Sequence, residues 1–167
     1  MANNYFNLSQ DYFNEILSYS DGVLYWKKSP ARSIKAGTIA GHNKSTLPYK
    51  RLQICRKNLL QHRVIFLMHH GYLPDLIDHI DGNPNNNKIE NLREATYSQN
   101  SLNKKLIKSN KSGFKNVCWD KTRNKWLVSL CVKGKLNKIG FFKDLELANL
   151  VAQEARDKYH KQFARHK

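Results

Sequence analysis

An acidic residue and a histidine stand side by side at Asp78 and His79. A neutral imidazole can take a proton from water near neutral pH, whereas a carboxylate is too weak a base to do so efficiently. Asp78 and the later Asn100 carry hard oxygen atoms of the kind that Mg²⁺ and Mn²⁺ prefer. These residue types favour proton abstraction by a histidine and the binding of a divalent cation by carboxylate or amide oxygens.

The segments around these residues predict a compact unit of two strands and a helix. They are a strand at 76–80, a polar loop at 81–87, a second strand at 92–96 and a helix from 97 to about 106. The loop is dense in Asp, Gly, Asn and Pro, which tolerate tight turns. The helix follows because Thr96 is a good N-cap and Gln99 completes a capping box. A turn-rich hairpin without chemistry is the alternative reading of this stretch.

The preceding half of the chain has mixed helix and strand patterns. Ser9 can cap a helix through Leu17, and residues 22–27 then read as a strand. Residues 49–55 alternate polar and apolar and form a predicted hairpin with Leu59 and Leu60. Residues 62–70 predict a buried helix that ends at Gly71.

The C-terminal part predicts three strands, at 115–120, 125–133 and 136–142, which form an antiparallel meander. Its middle strand places Trp126 and Val128 on one face. A final helix with its apolar stripe at Ala148, Ala152, Ala155, Tyr159 and Phe163 would cover that face. The fold class is therefore predicted as α+β, with a mixed N-terminal region, a strand-strand-helix unit and a three-stranded sheet packed on a C-terminal helix.

A strong positive charge predicts a polyanionic partner. The sequence has 29 Lys and Arg against 13 Asp and Glu, a formal net charge of +16. Residues 101–167 hold 17 basic and 5 acidic side chains, net +12. Natural domains seldom carry so large an excess of one sign merely for solubility, so double-stranded DNA is the expected partner and a membrane surface the weaker alternative.

The stretch from Asp78 to Asn83, with Asn91, Leu92, Arg93 and Asn100, resembles the HNH nucleases of the ββα-metal family. The resemblance covers about residues 62–103 and implies a metal-dependent DNA endonuclease, of the kind encoded by phages and mobile introns. It also implies an HNH domain at 1–103 with its core at about 75–106.

The resemblance assigns further roles to individual residues. It implies that Asp78 and His79 serve the same phosphate although neighbouring strand residues point to opposite faces. Asn91 would hold the loop that fixes His79. His62 and Arg63 occupy the place of the family's upstream His-Arg pair, and Arg63 or Arg93 would contact a phosphate. One Mg²⁺ or Mn²⁺ ion is expected, held by Asp78 and Asn100.

Residues 112–164 resemble the APETALA/ethylene-response-factor type of DNA-binding domain. The motifs include Ser112 to Trp119, Lys125-Trp126 and 138–142, and residues 104–111 would form the linker. In that family the sheet enters the major groove, so the face opposite Trp126 should carry the contacts. Outward Leu127, Ser129 and Cys131 depart from the charged residues of that family. The candidate DNA-contacting residues are Arg63, Arg93, Lys104, Lys105, Lys115, Trp119, Arg123, Lys125, Lys133, Lys135 and Lys138.

Cys55, Cys118 and Cys131 lie far apart with no Cys-x-x-Cys pair, which predicts reduced, partly buried thiols and no structural zinc. The first residues lack a basic segment followed by an apolar run, and no stretch approaches the ~20 apolar residues of a membrane span. A cytoplasmic monomer, in a bacterial or phage-infected cell, is expected.

The sequence therefore predicts a two-module DNA endonuclease that hydrolyses phosphodiester bonds with one divalent ion and a histidine base. The alternative is a transcription-factor-like DNA-binding protein that does not catalyse.

Overall fold

The protein combines helices with small antiparallel sheets. The computed structural model describes residues 9–42, 48–107, 109–132 and 134–166. Within these ranges it has four α-helices, three two-stranded sheets and one three-stranded sheet, which confirms the α+β class. The chain divides into two compact units, Met1–Ala95 and Thr96–Lys167, called here the first and second units. The inferred domain bounds at 103 and 112 stay a prediction.

The first unit contains three hairpins and two helices. Its elements are α1 Gln10–Ile16, β1 Leu17–Ser20, β2 Val23–Trp26, β3 Arg51–Ile54, β4 Lys57–Leu60, α2 Gln61–His70, β5 Ile77–His79 and β6 Leu92–Glu94. Each strand pairs with its neighbour in sequence, β1 with β2, β3 with β4 and β5 with β6. A short 3-10 turn, Ile89–Asn91, leads into β6.

Helix α1 begins, and helix α2 ends, where their capping residues predict. The Ser9 hydroxyl accepts a hydrogen bond from the Tyr12 amide at 3.2 Å, which satisfies a donor that the first turn of α1 leaves open. Gly71 adopts φ 75° at the end of α2, and its amide donates to the Leu67 carbonyl at 2.9 Å. A side chain would be strained at this left-handed position, so glycine ends the helix there.

Two details of the first unit differ from the sequence-based expectation. Leu17 belongs to β1 and not to α1, and β1 itself was not predicted. Cys55 and Arg56, with φ 49° and 60°, make the turn between β3 and β4. The turn therefore lies earlier than expected, and Lys57 belongs to β4.

Helix α2 runs through the core of the first unit. Five consecutive residues, Val64 to Met68, are each 8% exposed or less, so the helix is covered nearly all round. Phe13 from α1, Leu24 from β2 and Ile77 from β5 belong to the same buried cluster. Strand β5 therefore follows a rigid helix and is itself anchored in the core.

The second unit consists of α3 Tyr97–Leu102, β7 Val117–Asp120, β8 Lys125–Val132, β9 Lys135–Phe142 and α4 Leu145–His160. The sheet order is β7-β8-β9, all antiparallel, as predicted. Thr96 and Gln99 form the predicted capping box of α3, but the helix ends at Leu102 and is shorter than expected.

Helix α4 covers one face of the second unit's sheet. Ala148 and Ala152 pack on Val117 and Val128 in one buried cluster. Small side chains let a helix approach a sheet closely, and the predicted apolar stripe is confirmed at these positions. Tyr159 departs from it, because 47% of this residue is exposed.

The strand register identifies the face that α4 leaves open. Residues directly opposite each other on paired strands share a face. Cys118 pairs with Leu127 and Ser129 with Lys138, and both pairs alternate with the helix-covered pair Val117 and Val128. The expectation that Leu127 and Ser129 point away from the core face is therefore confirmed.

All three cysteines, Cys55, Cys118 and Cys131, are exposed and unbridged, so the expectation that they are partly buried is wrong. In the parts of the chain that the structure describes, no helix is both long and apolar enough to cross a lipid bilayer.

A close approach at Gly22 generates the first prediction. Gly22 has φ 82°, and a Cβ there would lie 2.8 Å from the Lys88 amide nitrogen and 3.0 Å from the Asn87 carbonyl carbon. Gly37 has the same φ but nothing within 4 Å of such a Cβ. We expect Gly37→Ala to cost about 1 kcal/mol for backbone strain alone, and Gly22→Ala to cost clearly more because the clash is added.

Urea denaturation of the two variants and the wild type measures this difference. Equal destabilisation by both substitutions would show that the backbone at residues 87 and 88 can retreat freely from the turn.

Candidate active site

Strand β5 carries two polar residues into a buried position. Asp78 is 4% exposed and His79, the last residue of the strand, is 6% exposed. In the register of the hairpin Asp78 faces Arg93 and His79 faces Leu92. Buried polar side chains cost free energy unless they are paired, so the partners of these two residues define the site.

Asp78 forms a buried ion pair with Arg93. The guanidinium donates from Nε at 2.9 Å and from Nη2 at 2.7 Å, both to Asp78 Oδ2. The side chains of Arg93 and Asp78 are only 14% and 5% exposed. Arg93 thus balances the charge of the carboxylate and fixes its orientation. The phosphate contact expected of Arg93 stays a prediction, and the structure places its guanidinium on Asp78.

His79 lies in a cluster of rings and amides instead. Its Nε2 is 3.0 Å from Asn87 Oδ1. The His62 ring on α2 is 5.1 Å away between centroids and that of Tyr49 is 6.0 Å away. In the contacts described here, Asp78 and His79 thus have different partners, as expected for neighbouring residues that point to opposite faces of a strand.

His62 is held as a neutral ring beside His79. Burial is the main cause that lowers the pKa of His62 to about 3, and the charges of His79 and Arg63 lower it further. At neutral pH His62 therefore contributes no positive charge next to His79. Its observed contacts are with the rings of Tyr49 and His79.

The loop between the strands is closed by Asp81 and Asn91. Asp81 Oδ1 accepts from the Asn83 amide at 2.7 Å and from Asn91 Nδ2 at 3.0 Å, and Oδ2 accepts from Asn86 Nδ2 at 2.8 Å. Asn91 Oδ1 in turn accepts from the Asp81 amide, and its Nδ2 also donates to the Asn86 carbonyl. Burial raises the pKa of Asp81, but the hydrogen bonds from these asparagines outweigh it and leave the pKa below its ordinary value.

This network gives Asn91 a geometry that fits its inferred role. Its side chain hydrogen-bonds to Asp81 and to the Asn86 carbonyl, and so holds the loop closed. The catalytic contribution of Asn91 stays a prediction.

Asn100 and Arg63 are placed on elements outside the hairpin. Asn100 lies on α3 in the second unit, and its backbone amide donates to the Thr96 carbonyl at 2.9 Å. Its part in metal binding stays a prediction. Arg63 donates to the carbonyls of Pro74 and Asp75 at 3.0 and 3.1 Å, so it holds the connection between α2 and β5.

The candidate DNA contacts of the second unit have different surroundings. Lys115 donates to the carbonyls of Leu102 and Lys104 at 3.2 and 2.7 Å. Burial and the charges of Arg156 and Arg165 lower its pKa to about 8. Lys115 therefore secures the chain between α3 and β7, and its contact with DNA stays a prediction.

Trp119 lies on the side of the sheet that α4 covers, and not on the face that α4 leaves open. Trp119 is 45% exposed and pairs with Trp126, with ring centroids 4.8 Å apart, so it shares the face of Val117. Lys125 and Lys138, by register, lie on the open face. The Arg123 guanidinium lies 4.6 Å from the ring centroid of Phe141, which also faces that way.

The remaining basic candidates are exposed or outside the described residues. Lys104, Lys105 and Lys135 are exposed, and Lys133 lies outside the described residues. Lys135 pairs with Val132 and by register lies on the helix side of the sheet.

The structure adds two residues that the sequence did not single out, Asn87 and Gln61. Both are at most 2% exposed, and Asn87 is the side chain that contacts His79. Asn87 stands in a run of asparagines typical of turns, and Gln61 directly precedes the helix predicted at 62–70. Nothing in residue type or spacing separates either one from its neighbours.

The donor atoms at the hairpin suit a hard cation. Across the described residues, no group of three or more His, Cys, Asp or Glu side chains could hold a metal ion. A cation here would instead use the oriented, charge-balanced carboxylate of Asp78 with amide, water or phosphate oxygens, as Mg²⁺ and Mn²⁺ sites do. The absence of a structural zinc stays a prediction.

Comparison with known proteins places the site in a family. Residues 60–102 match the profile of a family described as HNH endonuclease. Over 91 residues the chain is 43% identical to Protein 3.8 of Escherichia phage T7, a match that takes in 53% of this chain and 73% of that relative. The chain belongs to the Protein 3.8 family and carries an HNH endonuclease domain. No solved structure matches it.

The HNH domain contains the hairpin and its surroundings. Asp78, His79, Asn91 and Asn100 all lie within residues 60–102, and so do Gln61 and Asn87. At the family level this domain is that of a nuclease, with DNA as the implied substrate. The resemblance inferred from the residues around Asp78 and His79 is thereby confirmed for this part of the chain.

The ion pair in the hairpin of the HNH domain leads to a stability prediction. Arg93→Met would leave Asp78 buried without this counter-charge, which should cost about 3 kcal/mol of unfolding free energy. The double variant Asp78→Asn/Arg93→Met should recover at least about 1 kcal/mol of that loss, because the unbalanced charge is gone.

Chemical denaturation of the wild type, both single variants and the double variant completes the cycle. Strictly additive losses would mean that the two side chains do not stabilise each other.

The buried His62 predicts loss of stability in acid. The unfolded chain protonates this ring near its ordinary pKa, about 6.5, but the folded chain does so only near 3. Between these pH values the unfolded state binds more protons, so the unfolding free energy falls as the pH is lowered, by at most about 1.4 kcal/mol per pH unit.

Urea midpoints measured between pH 7 and pH 4 test this. We expect a shallower decline for His62→Gln and an unchanged one for the exposed control His42→Gln. The same pH dependence in all three proteins would contradict the assignment to His62.

Proposed function

We propose that this protein is an endonuclease that hydrolyses phosphodiester bonds of double-stranded DNA, with His79 as the general base and one divalent cation. The observation that carries the proposal is the arrangement at the end of β5 in the HNH domain. There His79 is held by Asn87, and the adjacent Asp78 is held by Arg93.

His79 has the chemistry that water activation requires. His79 takes a proton from water while the water oxygen attacks phosphorus. The bond between phosphorus and the 3′ oxygen then breaks, and the departing oxygen takes a proton from solvent. Neutral His62 supports this role, because a second positive ring would oppose proton uptake by His79.

Asp78, in the first unit, is the proposed ligand of the cation. Asn100 is proposed as a second ligand only because its side-chain oxygen is of the kind that these cations bind. Mg²⁺ or Mn²⁺ would neutralise the charge that builds on the phosphate and on the 3′ oxygen. Arg93 holds Asp78 in one orientation and so reduces the reorganisation that ligand binding would need.

The second unit is the proposed DNA-holding module. Its residues carry a net charge of +12, and the face of the sheet that α4 leaves open bears Lys125, Lys138 and Arg123. The resemblance of residues 112–164 to the APETALA/ethylene-response-factor type stays a prediction, and this use of the face would agree with it. The likeness to Protein 3.8 of a phage supports an origin among phage-encoded proteins.

A plasmid assay tests the catalytic proposal. The wild type should nick or linearise supercoiled plasmid with Mg²⁺ or Mn²⁺, and EDTA should prevent it. His79→Ala should lower the rate by at least about 100-fold with little change in DNA affinity, because it removes the base and no phosphate-binding charge. For Asn100→Ala, raised Mn²⁺ should recover part of the activity. The activity of Asn91→Ala should fall between those of His79→Ala and Asn100→Ala.

Two results would decide against the proposal. Full activity of His79→Ala would reject the histidine base. A wild type that binds plasmid but never cuts it under any divalent metal would identify the protein as a DNA-binding protein without catalysis.

The open face predicts the salt dependence of DNA binding. Lys125→Gln/Lys138→Gln removes two positive charges from this face and should lower the slope of log affinity against log salt by about 2. The matched control is Lys158→Gln/Lys161→Gln, which removes two exposed charges at the end of α4.

Fluorescence anisotropy with one labelled duplex at several salt concentrations gives the slopes. Identical slopes for the two double variants would show that the open face is not the binding surface.

A further inference from the structure

A chain of buried amides connects His79 to the main chain. Gln61 is 1% exposed and Asn87 is 2% exposed, although both side chains are polar. Gln61 Nε2 lies 3.2 Å from the Ala40 carbonyl oxygen, Asn87 Nδ2 lies 3.0 Å from Gln61 Oε1, and His79 Nε2 lies 3.0 Å from Asn87 Oδ1. Three successive hydrogen bonds thus join the imidazole to a backbone carbonyl.

This chain has only one satisfied direction. A main-chain carbonyl can only accept, so Gln61 must turn its amide nitrogen towards Ala40. Its carbonyl then faces Asn87, which must donate to it. The Asn87 carbonyl is therefore the group that faces His79, and it too can only accept. Nε2 of His79 must carry the hydrogen, whichever way the individual amides could be turned in isolation.

The opposite tautomer would leave buried groups without a suitable partner. With the hydrogen on Nδ1, two acceptors, His79 Nε2 and Asn87 Oδ1, would face each other. Turning Asn87 over would bring its carbonyl against that of Gln61, and turning both would bring two carbonyls together at Ala40. Because a buried polar group loses its contact with water, each of these arrangements is disfavoured.

We propose that Asn87 and Gln61 are positioning residues that keep the hydrogen of neutral His79 on Nε2, so that Nδ1 is the nitrogen that takes the proton from water. This inference rests on the proposed nuclease function and names how its base is prepared. Neither residue touches the substrate in this account. They act through the ring of His79.

The same arrangement stays satisfied when the proton arrives. Once Nδ1 is protonated, Nε2 still donates to Asn87, and the bond becomes charge-assisted and stronger. No amide needs to turn. The relay therefore allows His79 to cycle between neutral and charged forms without rearrangement, which a base that must give up its proton again requires.

The surrounding chain holds both amides in place. Gln61 is the first residue of α2, and its backbone amide donates to the Lys50 carbonyl at 2.9 Å. Asn87 lies within the loop that Asp81 and Asn91 close. The amide of Ala40 donates to the Leu24 carbonyl at 2.7 Å, which fixes the peptide at the start of the relay.

Nitrogen-15 NMR of the imidazole in the full chain reads the tautomer directly. Long-range proton-nitrogen correlations distinguish a protonated from an unprotonated ring nitrogen, and His79→Gln assigns the signals. We expect the neutral ring of His79 to carry its hydrogen on Nε2 in the wild type. Gln61→Met, which removes the residue that sets the direction, should show both tautomers. Asn85→Ala, an exposed amide in the same loop, should keep the wild-type spectrum.

Kinetics of plasmid nicking give the second readout. Gln61→Met and Asn87→Ala should lower kcat by about tenfold or more with KM for DNA nearly unchanged, because the base is misdirected while the phosphate-binding charges remain. Asn87→Asp should recover part of kcat, since a carboxylate oxygen can accept from Nε2. Asn85→Ala should be indistinguishable from the wild type.

The outcomes separate this inference from the proposed function. A wild type that shows the Nε2 hydrogen but cuts no DNA leaves the relay standing and removes the nuclease. A wild type that cuts DNA but carries the hydrogen on Nδ1, or a folded Gln61→Met with wild-type tautomer and kcat, overturns the relay. If the variants fail to fold, the wild-type spectrum alone decides.

Discussion

Asp78 and His79 are buried at the end of a short strand, and the rest of the first unit must satisfy them there. Leaving a buried charge unpaired costs about 3 to 5 kcal/mol, which is comparable to a large part of the total stability of a small domain. The ion pair with Arg93 meets this requirement for the carboxylate, and the contact with Asn87 meets it for the imidazole. Arg93 and Asn87 thus serve different side chains of the pair.

The loop and the first hairpin serve the same requirement at longer range. Asp81 and Asn91 close the loop from which Asn87 projects, so the position of Asn87 depends on hydrogen bonds that never reach His79. The turn between β1 and β2 lies against the backbone of Asn87 and Lys88, and at Gly22 there is no room for a side chain. Tyr19 adds a further link, since its hydroxyl accepts from the Ile89 amide at 3.0 Å. Residues far apart in sequence thus hold one short loop.

The second unit meets the opposite problem, which is an excess of positive charge. Arg156 is 1% exposed and donates to the Lys115 carbonyl at 2.7 Å, to Asn116 Oδ1 at 3.3 Å and to His166 Nδ1 at 3.4 Å. Burial is the main cause that lowers the pKa of Arg156. Few acidic side chains remain to neutralise the surface, and its charge stays available for a polyanion.

The amino-acid sequence by itself indicated most of the elements and the residue types of the candidate site. Caps at Ser9 and Thr96, the left-handed Gly71 and the alternation along β8 act within a few residues, so their effect can be read from local order. The neighbouring Asp78 and His79 likewise indicate base and ligand chemistry by residue type. Only the tertiary structure decided that Arg93 pairs with Asp78, that Trp119 lies on the face of Trp126, and that Asn87 and Gln61 form a hydrogen-bonded chain with His79. The physical reason is that a hydrogen bond between side chains 15 or 26 positions apart depends on which backbone segments pack together, and residue type does not encode that.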